Sequence, residues 1–529
     1  MTPRPPVRAS APALLHRLTA KVLAGSGSFI QRLCKGKLES ASGVTVGAVW
    51  VLTAPVFFLC AAVDFLDGGP DYFPLLVSGV IVEIAGLVVV RFGRFPSELP
   101  ISRLFVAVVS GALAALSAVT FAHLATGTSI AVDVALVEAA ATITGTNATT
   151  VDAESLSLGM ISFRALGQWL SAAAMIVVLV RVLPHLGVGG LDADGGVSTR
   201  SARRLAPRSG STMARLMSVY VGLTGLFAMA YLLAGMPWMD SVIHALTTLS
   251  SGGFSTRSGS IGSFQSGAIE WVAILGMLVA GTSLPLMFRA MRRADLHRFI
   301  RSIEFRVYIG MVLVVVVAIL AWSGEWPTLA STRHAIFATT SAISTTGYLS
   351  SGLGTVPFGG EALLLVLMVV GGMSASVAGG FKVMRFMVLG QYIRRELTKS
   401  IHRSAVGKIH LGRSSIGETA LARIIGELFL ATMILVPVVL LFAADGLGVE
   451  GAFTFAVSSL SNVGFAFGDA WPLGHLNSLG ALGHLSATFL MLVGRISITP
   501  VLVAMGGIGE PTQRTIRRWR LTKRDEIVR

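Results

Sequence analysis

The chain has 529 residues, of which 53% are hydrophobic and only 13% are charged, and its formal net charge is +15. Its apolar residues form runs of about 20 residues, a composition that is typical of membrane proteins and excludes an ordinary soluble domain. The two cysteines, Cys34 and Cys60, are too few for a disulfide framework or a cysteine-based metal site.

The chain begins with a basic segment over residues 1–43. This segment lacks the long apolar core and small-residue cleavage site of a removable signal peptide, so we expect a cytoplasmic tail. About ten apolar stretches that are long enough to cross a bilayer follow it. The predicted spans are 44–63, 74–90, 104–126, 159–183, 213–236, 267–290, 306–322, 361–392, 419–443 and 479–506.

The positive charge is concentrated on one side of these spans. If the N terminus is inside, the cytoplasmic segments contain 38 of the 42 lysines and arginines, all except Arg164, Arg257, Arg333 and Arg495. The positive-inside rule therefore predicts a multi-pass protein with both termini in the cytoplasm. The same rule accounts for the high net charge, so nucleic acid is not predicted as a partner.

The outer connections after the third, fifth, seventh and ninth spans share one pattern. Each begins with a mostly apolar segment of about ten residues, which is too short to cross a bilayer, and then breaks at a glycine. One such segment alone would be an ordinary polar loop, but four at equivalent positions indicate re-entrant half-helices. The segments VALVEAAATITGTNATT, VIHALTTLSSGGFSTRS, AIFATTSAISTTGYLSS and AFTFAVSSLSNVGFAFG align on Gly145, Gly253, Gly347 and Gly464.

This repetition predicts an all-α polytopic membrane protein with four pseudo-repeats of span, pore half-helix, filter and span around a central ion pore. The C-terminal ends of the half-helices would favour a cation at the centre, where glycines let backbone carbonyls replace its water shell. The predicted units are the tail (1–43), an extra N-terminal helix pair (44–100), pore repeats 101–190, 210–300, 304–400 and 415–510, and a second tail (511–529).

Several motifs resemble those of a known family. The segments SSGGFSTRSGSIGSF, MVVGGMSASVAGGFKVMRF, SNVGFAFG and GRISITPVL are similar to those of the TrkH/KtrB potassium transporters, in the superfamily that includes the plant HKT proteins. The resemblance extends from about residue 40 to 506, and the extra N-terminal pair makes it closer to TrkH. It implies potassium uptake across the bacterial inner membrane.

The resemblance also implies partners. Family members work as homodimers on a cytosolic ring of nucleotide-binding subunits, called TrkA or KtrA. The basic loops 289–306 and 391–413 and the tail 514–529 are candidate docking surfaces, although membrane topology alone accounts for most of their charge. Membrane lipid is the remaining expected partner.

A selectivity filter of three residues in each repeat is a further implication of the resemblance, with backbone carbonyls as ligands of K⁺. In the family, glycine at all four filter positions accompanies potassium preference, and serine at the first accompanies sodium permeation in some relatives. Gly145 therefore favours potassium. The implied filter residues are Ile143, Thr144, Gly145, Ser251, Gly252, Gly253, Thr345, Thr346, Gly347, Asn462, Val463 and Gly464.

The run GGMSASVAGGFK interrupts the predicted span 361–392. Its small residues weaken a helix and allow unwinding inside protein, although close packing of two helices through small residues is the alternative. The resemblance identifies residues 371–380 as an intramembrane gating loop. Lys382 and Arg385 at its cytoplasmic end are alternatively snorkelling cations. The implied gate residues are Gly371, Gly372, Ser374, Ser376, Gly379, Gly380, Lys382 and Arg495.

Arg495 lies within the apolar stretch FLMLVGRISITPVLVAM. An arginine at mid-bilayer costs roughly 2.5–3.5 kcal/mol on insertion scales, so it should face a protein interior or a water-filled path. The resemblance implies that it projects into the pore beneath the filter and opposes cations. A buried salt bridge with Glu427 is the alternative, and the two are compatible.

Three departures from the family pattern bear on the gate and filter. The family usually has an acidic residue where this chain has Ser497, two positions after the arginine. Phe465 stands where proline is common, and Ser251 replaces a usual threonine. We expect these changes to affect gating strength more than the ion path.

Other functions fit less well. A sodium-permeable or nonselective cation transporter of the same superfamily is the nearest alternative. A secondary transporter of small solutes would need ionisable residues at mid-membrane, where besides Arg495 only Glu83 and Glu427 qualify. An enzyme is not predicted, because the chain has no phosphate-binding loop or dinucleotide fingerprint. The histidines expected near the outer face also lack the spacing of metal ligands. These histidines are His123, His244, His334, His475 and His484. K⁺ is expected as the transported ion, and no bound cofactor is predicted.

Overall fold

The computed structural model describes residues 38–94, 101–181, 209–293, 295, 297–324, 326–350, 356, 358–402, 409–411, 414–468, 476 and 479–507. In these ranges the chain is mainly helical, which confirms the predicted all-α polytopic class. The described strands form two short pairings. The strands β1 Leu38–Glu39 and β2 Gly93–Arg94 are parallel, and β3 Ile409–Leu411 and β4 Ser414–Ile416 are antiparallel.

The first two helices form a closely packed pair, α1 Ala41–Asp67 and α2 Tyr72–Phe92. Ser40 begins α1 by accepting a hydrogen bond from the Gly43 N–H, at 3.1 Å. A Cβ on Gly47 would lie 2.8 Å from the carbonyl oxygen of Gly86. Small residues thus let the two backbones touch, as they commonly do between helices in membranes.

The following described helices repeat one order four times: a long helix, a short helix, a break and a further helix. The first repeat has α3 Ile101–Ala125, α4 Val132–Thr144 and α5 Leu158–Arg181, and the second has α6 Ser209–Leu233, α7 Trp238–Leu249, α8 Gly267–Ala280 and α9 Leu284–Arg293. After α10 His297–Arg301, the third has α11 Ile303–Trp322, α12 Leu329–Ile343, α13 Phe358–Val370 and α14 Val383–Ile401. The fourth has α15 Glu418–Ala444, α16 Val449–Ser461, α17 Ala481–Ile496 and α18 Ile498–Gly507.

The short helices α4, α7, α12 and α16, hereafter the pore helices, have 13, 12, 15 and 13 residues. At 1.5 Å per residue they reach only part of the way across a hydrocarbon core of about 30 Å. They lie deep in the molecule, where Ala139, Ala140 and Ala141 are fully buried. The long helices surround them and expose large apolar side chains such as Leu226 and Val314, as on a surface that faces lipid.

Seven described helices are long and apolar enough to cross a membrane as single elements, namely α1, α2, α3, α5, α6, α11 and α15. Two further predicted spans, 267–290 and 479–506, each consist of two helices that pass the same test only as a pair. The first bends by 102° between α8 and α9, and the second bends by 107° between α17 and α18. Hydropathy did not indicate these breaks, because they are only three residues (281–283) and one residue (Ser497) long within otherwise apolar stretches.

The break between α8 and α9 is stabilised by another repeat. The Met373 N–H donates to the Gly281 carbonyl at 2.8 Å, and the Leu284 N–H donates to the Ala375 carbonyl at 3.2 Å. Backbone groups that a continuous helix would satisfy internally are thus satisfied between repeats. The predicted interruption of span 361–392 is confirmed, since α13 ends at Val370 and α14 begins at Val383.

The limits of the predicted units stay predictions. Of the two predicted tails, residues 1–37 and 511–529 lie outside the described residues, as does the candidate docking surface 514–529. The docking surface 391–413 is described except for residues 403–408 and 412–413.

Candidate ion filter and gate

Each pore helix ends in the same way. One residue takes a left-handed conformation, and the N–H of the next residue bonds to the carbonyl five positions earlier, a common helix ending. The left-handed residues are Gly145, Ser251, Thr345 and Asn462, with φ of 66°, 58°, 55° and 58°. The hydrogen bonds are Thr146 to Ala141 at 3.0 Å, Gly252 to Thr247 at 2.8 Å, Thr346 to Ser341 at 3.1 Å and Val463 to Ser458 at 3.0 Å.

This shared geometry corrects the alignment of the first repeat. Gly145 corresponds to Ser251, Thr345 and Asn462, so the predicted alignment on Gly145 is wrong by two residues. Ile143 and Thr144 lie in the last turn of α4, where the Ile143 carbonyl accepts a hydrogen bond from Ser171 Oγ. Glycine is as suitable for ending a helix as for lining a filter, so an alignment based on the one glycine of this segment gave the wrong correspondence.

The residue that corresponds to the three filter glycines is therefore Asn147. Sequence analysis did not identify Asn147, although the distance along the chain from an acidic residue to the filter position indicates it. An acidic residue stands in the first turn of three pore helices, 14, 13 and 14 residues before the corresponding filter position. These pairs are Asp133 and Asn147, Asp240 and Gly253, and Glu450 and Gly464.

The residues at these helix ends form a buried ring, hereafter the filter ring. Its members are Gly145, Thr146 and Asn147; Ser251, Gly252 and Gly253; Thr345, Thr346 and Gly347; and Asn462, Val463 and Gly464. Gln168 Nε2 joins the first two repeats by donating to the Gly252 carbonyl at 2.8 Å and the Thr146 carbonyl at 3.4 Å. Asn462 Nδ2 joins the fourth repeat to the first by donating to Thr146 Oγ1 at 3.2 Å.

Two glycines of the ring leave no room for a side chain. Gly253 and Gly347 have φ of 76° and 78°. A Cβ on Gly253 would collide with the Thr346 carbonyl oxygen, and one on Gly347 would collide with the Val463 carbonyl oxygen. These contacts join the second repeat to the third and the third to the fourth. The repeats therefore follow chain order around the ring, and the first faces the third.

The segment between α13 and α14, residues 371–382, is hereafter the gate loop. The Gly379 N–H donates to Thr345 Oγ1 of the filter ring at 2.6 Å, and the Gly380 N–H donates to the Ser461 carbonyl at the end of α16 at 3.2 Å. The Ser374 N–H donates to Glu304 Oε1 at 2.6 Å, and Ser374 and Ser376 are both buried. The gate loop is thus fixed directly against the filter ring and the end of α16.

The gate loop folds back on itself through its glycines. Gly371 and Gly380 have φ of 70° and 71°, and a Cβ on Gly380 would lie 2.7 Å from the Gly371 Cα. Gly372 is also enclosed, since its Cβ would lie 2.7 Å from the Ala378 Cβ. The alternative of two continuous helices packed through small residues is therefore wrong for this segment.

Arg495 contacts the gate loop. Its Nη1 donates to the Val377 carbonyl at 2.9 Å, while its Nε and Nη2 are buried without a hydrogen-bond partner. No carboxylate of the described residues lies within 4.0 Å of it. Lys382 makes a similar contact, since its Nζ donates to the Ala378 carbonyl.

The alternative of a buried salt bridge between Arg495 and Glu427 is wrong. Glu427 instead pairs with Arg385 at 2.7 Å and accepts a hydrogen bond from Thr499 Oγ1 at 2.9 Å. Arg385 is thus neutralised at the end of the gate loop instead of snorkelling to solvent. Arg495 keeps an uncompensated charge beside the filter ring.

The three arginines near the outer side are all paired with acids. Arg164 lies 2.9 Å from Glu138, Arg333 lies 2.5 Å from Glu270, and Arg257 lies 3.9 Å from Asp240. In the described residues, no cluster of three possible metal ligands occurs. Two outer histidines serve as hydrogen-bond partners instead: His484 Nδ1 contacts Asp133 at 2.7 Å and His244 Nε2 contacts Ser255 Oγ at 2.9 Å. His475 lies outside the described residues.

Comparison with known proteins gives the family. Residues 93–508 match the model of TrkH, described as a cation transport protein. The chain belongs to the TrkH family. This confirms the resemblance that the sequence motifs indicated, and the family consists of transporters, not enzymes.

Individual relatives of the TrkH family agree with this assignment. The Trk system potassium uptake protein TrkH of Halomonas elongata is 32% identical over 379 residues, which cover 70% of this chain and 77% of that protein. TrkH of Escherichia coli K12 is 30% identical, covering 68% and 76%. The crystal structure of the potassium transporter TrkH from Vibrio parahaemolyticus matches with a TM-score of 0.80 and 26% identity, covering 89% of this chain and 98% of that one.

Proposed function

We propose that this protein is the membrane-embedded translocating subunit of a potassium uptake system. The observation that carries the proposal is the filter ring, a closed ring of buried backbone at the C-terminal ends of four pore helices. The relatives described as potassium uptake proteins support the choice of ion.

The ring has the chemistry that a dehydrated cation requires. The C-terminal end of each pore helix carries a partial negative charge of about half an elementary charge, and four such ends converge on one place. Backbone carbonyls of the filter ring act as ligands in place of water. In the first repeat these carbonyls belong to Gly145, Thr146 and Asn147, so Ile143 and Thr144 no longer belong to the proposed filter.

The gate loop and Arg495 form a barrier below the filter. A cation about 6 Å from the guanidinium meets a repulsion of roughly 3 kcal/mol at an effective dielectric constant of 20. Movement of the gate loop carries the Val377 carbonyl, and with it the hydrogen bond that holds Arg495. Displacement of this loop by a partner therefore opens the path.

A cytosolic partner supplies that displacement. We assign this role to a TrkA- or KtrA-like ring of nucleotide-binding subunits that docks on the basic surfaces 289–306, 391–413 and 514–529, with the protein as a homodimer. The protein lies in the inner membrane with both termini in the cytoplasm, as its distribution of lysine and arginine requires.

The corrected alignment of the first repeat favours a second candidate function. The argument that Gly145 selects potassium no longer applies, because Asn147 occupies the corresponding position. A cation transporter that passes sodium as well as potassium is therefore the alternative function.

Labelled Rb⁺ uptake into liposomes that carry the purified protein tests the proposal, with K⁺ or Na⁺ as competitor. We expect competition by K⁺ but not by Na⁺, whereas equal competition would favour the alternative. Gly253→Ala should abolish uptake, because its Cβ would collide with the Thr346 carbonyl. The control is Gly225→Ala in α6, where a Cβ would have no neighbour within 4 Å. Uptake that survives Gly253→Ala would contradict the filter.

A further inference from the structure

Asn147 differs from its three counterparts in the filter ring. Gly253, Gly347 and Gly464 have φ of 76°, 78° and 107°, whereas Asn147 does not share this left-handed conformation. Its Cβ lies 2.9 Å from the places that a Cβ on Gly253 or Gly347 would occupy. The Asn147 side chain therefore enters the space that the glycines keep open.

The side chain crosses the ring. Asn147 Nδ2 donates a hydrogen bond to the Gly347 carbonyl at 2.6 Å, and Gly347 belongs to the third repeat, which faces the first. The backbone N–H of the same residue donates to the Val463 carbonyl of the fourth repeat at 3.0 Å. One residue thus binds carbonyls from two other repeats.

These contacts oppose the passage of a cation. A carbonyl that accepts a hydrogen bond from an amide directs its lone pair at that hydrogen, and the amide N–H₂ places partial positive charge where the ion should be. Asn147 Oδ1 has no donor among the described residues, so the amide is held at its nitrogen end only. The other asparagine of the ring is held differently, since Asn462 Nδ2 donates to the Met491 carbonyl in α17 at 2.8 Å.

We propose that the Asn147 side chain is a latch across the ion path, which must release the Gly347 carbonyl before a cation can cross the filter ring. This inference rests on the proposed function. The latch lies in series with the gate loop and Arg495, and it acts on the outer side of that barrier. A single neutral hydrogen bond sets its strength, so it slows passage without closing the path permanently.

The test compares Rb⁺ uptake of Arg495→Ala with that of Arg495→Ala combined with Asn147→Gly, since removing the lower barrier makes the latch visible. We expect about a fivefold increase from Asn147→Gly, the factor that corresponds to a net hydrogen bond of about 1 kcal/mol. Asn147→Ser is the second variant, because its hydroxyl is too short to cross the ring and should give a similar increase. Size-exclusion profiles check that each variant is folded.

The outcomes separate the latch from the transport function. Equal, measurable uptake with and without Asn147→Gly and Asn147→Ser would overturn the latch and leave the proposed function intact. Absence of uptake from every variant, with folded protein in the membrane, would overturn the proposed function and the latch together. Uptake by the double variants but not by Arg495→Ala alone would support the latch most strongly.

Discussion

Two arginines of this chain lie among apolar helices, but their surroundings differ. Arg164 in α5 bonds to Glu138 at 2.9 Å and to Thr149 Oγ1 at 2.7 Å, and its guanidinium lies 3.9 Å from the centre of the Phe254 ring. Arg495 in α17 bonds to one carbonyl, and two of its nitrogens have no partner. A neutralised charge stabilises the fold, whereas an uncompensated one keeps a field that acts on ions nearby.

The acid of the pair at Arg164 also holds the segment that follows the filter ring. Glu138 accepts hydrogen bonds from Thr149 Oγ1 at 2.9 Å and Thr150 Oγ1 at 2.8 Å. The chain that leaves the filter ring after Asn147 is thus tied back to its own pore helix.

The largest expected effect is on stability, from Arg164→Ala. This change leaves Glu138 buried without its partner, which should cost about 3–5 kcal/mol. Thermal unfolding of the purified protein, followed by size-exclusion chromatography, measures the loss. The control is Arg257→Ala, whose side chain is 48% exposed and lies 3.9 Å from Asp240, so its cost should stay below about 1 kcal/mol. Similar losses from both variants would contradict a structural role that is specific to Arg164.

Arg495→Ala should act on transport. Removing a repulsion of roughly 2–3 kcal/mol should raise unstimulated Rb⁺ uptake by about 30- to 160-fold, with little loss of stability. Arg495→Lys keeps the charge and should leave uptake low. The uptake assay in liposomes measures both variants against the parent protein. Unchanged uptake by correctly inserted Arg495→Ala protein would exclude the barrier.

The smallest effect concerns the break beside Arg495. Ser497 has φ of 76° and ψ of 149°, a conformation that only glycine adopts readily. Ser497→Gly should therefore raise thermal stability, by about 1 kcal/mol. The control is Ser323→Gly at the end of α11, where φ is −64° and glycine has no such advantage. A gain at Ser323 that equals the gain at Ser497 would show that backbone strain is not the cause.

Membrane spans and the four half-helices were predictable, because both depend on local composition. A run of apolar residues is stable as a helix in lipid wherever it stands, so α1, α3 and α15 lie where hydropathy placed them. The gate loop was predictable for the same reason, since clustered glycines weaken any helix. The bends at residues 281–283 and at Ser497 were not predictable from composition; at the first, backbone groups are satisfied by contacts from a distant segment.

The alignment of the first segment of the filter ring shows most clearly what could not be predicted from the sequence. Glycine at residue 145 ends a pore helix, and asparagine at residue 147 faces the opposite repeat, but the sequence shows only a glycine near the expected place. The geometry of the four helix ends decided that Asn147 corresponds to the filter glycines, and its contact with Gly347, 200 positions away, places it against the third repeat.

By itself, the sequence determined the membrane class and the family, since both depend on composition, hydropathy and short motifs. The tertiary structure alone decided which residues meet: Arg385 and not Arg495 pairs with Glu427, and Asn147 and not Gly145 corresponds to the filter glycines of the other repeats. Such pairings depend on where separate helices end in space, and a change of two residues in one helix end changes which side chain meets the opposite repeat.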